Sequence, residues 1–113
     1  MDSTLAQLAA EFSGVPVEQL TDAALLSGLL IAAANAAGLS PVGVPTVRDF
    51  GAHGVSAMVL MTGAHLTLHA FPKQQTLLLD AVGPASHDFR KAVDVFARRL
   101  SARDIKSDIR GRG

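Results

Sequence analysis

Apolar residues fill positions 23–37 almost without a break, with only Ser27, Gly28 and Asn35 interrupting a Leu- and Ala-rich run that stops at Gly38. Thr21 or Asp22 can cap the start and Gly38 suits the end, so this stretch predicts a helix. Its apolar residues lie nearly all round the axis, which predicts cover on more than one side. A second helix is expected from near Ser86. There Phe89, Val93, Phe96 and Leu100 recur at i, i+4, i+7 and i+11, while Arg90, Lys91, Asp94 and Arg98 face away. Strand patterns lie between and around the helices. Residues 41–49 form an extended-looking run with Val42, Val44, Pro45 and Val47. Residues 54–62 are a β-branched and aliphatic run expected to be buried on both faces except at Ser56 and Thr62, followed by a bend at Gly63. Residues 65–70 alternate, with Leu66 and Leu68 on one face and His65, Thr67 and His69 on the other. Residues 75–82 read as an apolar strand before a Gly83-Pro84 turn, and Ile105, Ser107 and Ile109 alternate as a last strand. Residues 3–12 carry strong helix formers and read as helix on propensity alone.

Composition narrows the classes. The 113 residues suit one domain over 1–113, with no linker or low-complexity break. The chain is 49% hydrophobic and 18% charged, which argues against disorder and favours a buried interface between subunits. It has no Cys, so thiol nucleophiles, disulfides and zinc-thiolate sites are excluded. The longest apolar stretch is too short for a membrane span, and the first residues lack a signal-peptide pattern, so a soluble cytoplasmic protein without membrane attachment is expected. The net charge of zero conceals an asymmetry. Residues 1–85 hold two basic and six acidic groups, and residues 86–113 hold eight basic and four acidic groups. A basic C-terminal end could attract an anion. Without Trp or Tyr, a base-stacking surface is not expected.

The segment from Gly54 to Pro72 resembles the processing segment of the bacterial S-adenosylmethionine decarboxylases, with Ser56, the tripeptide Gly63-Ala64-His65, and His69 at the matching positions. The resemblance extends from Leu5 to about Gly111, where Arg110-Gly111 echoes the family's terminal motif. It implies an α/β (α+β) two-layer sandwich, with an antiparallel-rich sheet and two helices on one face. It also makes residues 3–12 the first strand, giving the order β-α-β-β-β-β-α-β. The family cuts its own chain at Glu-Ser-His and turns the serine into a pyruvoyl cofactor for decarboxylation in spermidine synthesis. Here that serine is Ala64, which has no hydroxyl to attack the preceding carbonyl, so no pyruvoyl group is expected. Thr62 and Thr67 are out of register with the cut. Ser56 and His69 match residues that assist processing, and Phe50 matches an aromatic that lines the family's substrate pocket. The family's Trp-Pro-Glu is Phe71-Pro72-Lys73, and its proton-donating cysteine falls at Gly83 or Pro84.

Three functions follow as expectations. The first is a non-catalytic relative that binds a small molecule through Phe50, Ser56, His65 and His69. Its ligand would be S-adenosylmethionine or another amine, and its partners a second copy in a homodimer or an intact decarboxylase paralogue. The second is an active decarboxylase trapped as a proenzyme by a Ser-to-Ala change. The third is an anion- or RNA-binding module built on Arg98, Arg99, Arg103, Lys106, Arg110 and Arg112, which no nucleic-acid motif supports. No metal site is expected, because His65 and His69 on a strand stand about 13 Å apart.

Overall fold

Period-2 patterning dominates the fold. A computed structural model describes residues 3–113, and within them six strands form one antiparallel sheet in the order β2-β3-β4-β5-β1-β6. The strands are β1 (Leu5–Ser13), β2 (Thr46–Asp49), β3 (Val55–Met61), β4 (Ala64–Phe71), β5 (Thr76–Pro84) and β6 (Asp104–Arg112). Three helices accompany them: α1 (Val17–Leu20), α2 (Ala23–Ala36) and α3 (Phe89–Arg99). Helices α2 and α3 lie together on one face, so the architecture is the expected two-layer sandwich. Short 3-10 turns occur at Gly51–His53 and Pro72–Gln74.

β1 forms a strand in spite of its helical propensity because its alternation is strict. Ala6, Leu8, Ala10 and Phe12 are buried against the helices, while Leu5, Ala9 and Glu11 point out. Tertiary burial outweighs propensity differences of tenths of a kcal/mol per residue. The core joins this row to Leu66 and Leu68 of β4, Leu77 and Leu79 of β5, and Phe89, Val93, Phe96 and Leu100 of the α3 stripe. Phe12 and Phe96 meet at its centre with ring centroids 6.0 Å apart. Asp22 and Asp88 cap the two long helices, accepting hydrogen bonds from the Leu25 and Arg90 backbone N–H groups.

Several expectations need correction. The stretch 41–49 is a strand only over Thr46–Asp49; Pro41, Gly43 (φ 77°) and Pro45 break the run, leaving Val44 89% exposed. The Val42 N–H still reaches the Leu60 carbonyl at 2.8 Å. β3 is not buried on both faces: Met58 and Leu60 are exposed because no helix covers that side. For the same reason α2 buries only Leu26, Leu29, Leu30, Ala33 and Ala34, and its far flank, including Ile31, stays open. α3 begins at Phe89 rather than near Ser86. β5 runs through Gly83 to Pro84, held by pairing with β1, so no turn forms there. The short helix α1, which follows Pro16, was not foreseen.

Candidate functional site

The β3–β4 hairpin places its odd and even residues on opposite sides of the sheet, and this alternation decides which candidate residues meet. Ser56 directly opposes His69 on the helix-free face, with Ser56 Oγ and His69 Nδ1 2.7 Å apart. Two glycines fix that register. Gly54 has φ 99° and sits so close to β4 that a Cβ there would run into the Ala70 carbonyl oxygen. Only glycine starts β3 in this position. At the other end Thr62 and Gly63 form a two-residue turn between the paired Met61 and Ala64, with Gly63 at φ 68°.

Neighbouring strands extend the pair into rows. Arg48 of β2 stands opposite Ser56, and Leu78 of β5 stands opposite His69. The next row brings Thr46, Met58, Thr67 and Asp80 side by side. Thr46, Arg48, Ser56, Met58, Thr67 and His69 line a shallow hollow of about 220 Å³ on this open face. The surface of the hollow is mostly apolar; of its polar residues, Arg48 donates to the Val47 carbonyl, and Ser56 and His69 bond each other. Such a site suits a small molecule with an apolar body, its charged group reaching the remaining Arg48 N–H donors. Sequence reasoning missed Arg48, Thr46, Met58 and Thr67 as site residues. Their signal was the alternation of β2, β3 and β4, readable only once the strands are paired.

The other candidates lie apart. Ala64 is 8% exposed on the helix side, the face opposite Ser56 and His69. Its methyl group lies beside Gly83: a Cβ built on Gly83 would lie 2.8 Å from the Ala64 Cβ and 3.2 Å from the Phe89 ring. A cysteine at Gly83 would therefore displace its neighbours. Phe50 is neither core nor part of the hollow. It stands 54% exposed before the Gly51–His53 turn, its N–H bonded to the Gly54 carbonyl. The aromatic beside His69 is Phe71, with ring centroids 6.4 Å apart. His65 shares the open face but faces Leu60 and Val82, beyond the next row. Among the described residues no group of three or more His, Asp or Glu side chains could hold a metal ion. Lys73 is exposed in the Pro72–Gln74 turn beyond the end of β4. Asp80, opposite Thr67, is exposed and makes no side-chain hydrogen bond among the described residues. No helix there is long and apolar enough to cross a membrane.

Comparison with known proteins agrees with this architecture. The crystal structure of the adenosylmethionine decarboxylase from Aquifex aeolicus superimposes with a TM-score of 0.86 over 100% of this chain and 93% of that one, at 21% identity, which establishes the fold. S-adenosylmethionine decarboxylase proenzyme 2 of Bacillus anthracis is 36% identical over 67 residues, 59% of this chain. This chain spans about half of that relative, 54% of its length. The arginine decarboxylase proenzyme of Aeropyrum pernix is 34% identical over 92 residues, 80% of this chain and 70% of its own. The family model for S-adenosylmethionine decarboxylase matches residues 6–113, and the chain belongs to that family.

Proposed function

We propose that this chain is a decarboxylase-fold protein that does not convert itself into a pyruvoyl enzyme and acts instead as a binding or partner subunit related to polyamine metabolism. The observation that carries this reading is the environment of position 64. A pyruvoyl group arises from a side-chain hydroxyl next to the cut bond. Ala64 supplies a buried methyl group beside Gly83, on the face opposite Ser56 and His69. These residues do not fit the group.

The open face carries the binding role. Arg48 offers a carboxylate partner, while Ser56, His69 and Thr67 offer hydrogen bonds. Asp80 in the adjoining row can receive an amine. The ligand class is an amino acid or amine derivative; S-adenosylmethionine and arginine are the substrates named for the relatives above. At about 220 Å³ and open to solvent, the hollow is smaller than the roughly 300–1,000 Å³ of enclosed small-molecule sites. A facing surface would complete it. The exposed Leu5, Met58, Leu60 and Phe71 on the same face suit cover by a second copy or by an intact relative.

The preserved Ser56–His69 pair favours one alternative, a working decarboxylase held as a proenzyme by Ala64. The substitution Ala64→Ser separates the two. On our reading the variant stays one chain, because its hydroxyl lies buried beside Gly83 on the helix side; cleavage into two fragments would establish the alternative. Binding is tested by melting temperature with S-adenosylmethionine and with arginine. A ligand at 100 times its dissociation constant adds about 2.7 kcal/mol, or roughly 10 °C for a domain of this size. Arg48→Ala should abolish that shift. Absence of any shift with either compound at millimolar concentration would contradict the binding role.

A further inference from the structure

The sheet ends on one side at β6, whose nine residues are all exposed along an edge with no partner strand. Half of its backbone N–H and C=O groups point away from β1. Edge strands are usually protected by charge, and β6 carries Asp104, Lys106, Asp108, Arg110 and Arg112 on the helix-free side. Ile105, Ser107 and Ile109 face the helix side, where the two isoleucines remain 39% and 38% exposed. The signs of these charges do not simply repel. They are arranged so that the strand complements itself.

We propose that β6 pairs antiparallel with β6 of a second copy of this chain, about a two-fold axis through Ser107, joining two six-stranded sheets into one. In that register Asp104 faces the partner copy's Arg110, and Lys106 faces its Asp108. Each pairing recurs by symmetry. On the helix side Ile105 meets Ile109 of the other copy, and Ser107 meets its own equivalent. Every charged contact is then attractive and the exposed apolar residues cover one another. Directly opposed side chains on an antiparallel ladder interact with the sign of their charges. Shifting the axis to Lys106 would place lysine against lysine and Asp104 against Asp108. Shifting it to Asp108 would place aspartate against aspartate and Lys106 against Arg110. Among the axes along β6, the one through Ser107 makes the most opposite-charge pairs with no like pair. The existing Asp108–Arg110 contact within the strand, 3.8 Å and highly exposed, is weak enough to exchange for cross-strand partners. This contact lies at the sheet edge remote from the hollow, and it does not depend on the binding role proposed above.

The chain has no cysteine, so a single Ser107→Cys substitution reads the axis directly. In the full chain, treated with a mild oxidant or a short bis-maleimide, Cys at this position should join two copies covalently. Adding Asp108→Lys sets lysine against Lys106 twice and should reduce the linked fraction about tenfold. Lys106→Glu should do the same by setting two carboxylates together, so the test survives if one variant folds poorly. The exchange Lys106→Asp with Asp108→Lys restores opposite charges and should restore linking. The proposal is overturned if Ser107→Cys is not linked, or if Asp108→Lys links as well as its parent. A dimer by sedimentation that shows neither linking nor sensitivity to these charges would assign the contact to another surface.

Discussion

Two glycines in one hairpin face opposite penalties, which makes residue-scale chemistry testable. Gly54 combines φ 99° with a Cβ position blocked by the Ala70 carbonyl, whereas Gly63 has φ 68° and open space around it. Gly63→Ala should cost only the left-handed strain, about 1–2 kcal/mol. Gly54→Ala adds a backbone clash and should cost at least about 3 kcal/mol, moving β3 relative to β4 and with it Ser56 from His69. Urea denaturation of both variants checks the order, and equal losses would mean that Ala70 does not hold Gly54. His69→Ala removes one partner of an exposed hydrogen bond and should cost no more than about 1 kcal/mol of stability. It should also weaken binding on the open face. Ser56 and His69 were each legible from the family pattern, but their hydrogen bond shows only once β3 and β4 are paired. Arg48 was not, because nothing in the spacing of β2 reveals which residue will stand across from Ser56.

At the scale of elements, capping and alternation set the boundaries. The residues before α3 looked helical from Ser86, but Asp88 has φ −97° and ψ 91° and accepts from the Arg90 N–H, so the helix begins after it. Asp88→Ala should therefore lower stability by about 1 kcal/mol. A melting curve would show it, and Asp88→Asn, an equally good cap, should retain most of the stability. The α3 stripe was legible because its apolar residues repeat at helical spacing over three turns. β1 was legible only through the family resemblance, since Leu, Ala, Gln and Glu favour a helix locally; its strand state comes from the two neighbours that pair with it on either side. The stretch 41–45 misled for the opposite reason. Its valines look like a strand, yet two prolines and Gly43 prevent a ladder.

For the molecule as a whole, the sequence revealed one sandwich but overstated how much of it is covered. The apolar residues of β3 and α2 predicted burial on two sides. The sheet instead has helices on one face only, and Met58, Leu60 and Phe71 remain open on the other. No single-chain pattern distinguishes a surface covered by the chain's own helices from one left for a ligand or partner. Phe96→Ala, at the centre of the core beside Phe12, should cost about 3–5 kcal/mol. Leu60→Ser on the open face should cost the isolated chain much less than 1 kcal/mol. It should show its effect in binding or assembly. The most direct test of the central claim is the intact mass of the purified protein. The account predicts a single species at the full 11.7 kDa. Two fragments divided between Gly63 and Ala64, the second bearing a reactive keto group at its N-terminus, would contradict it.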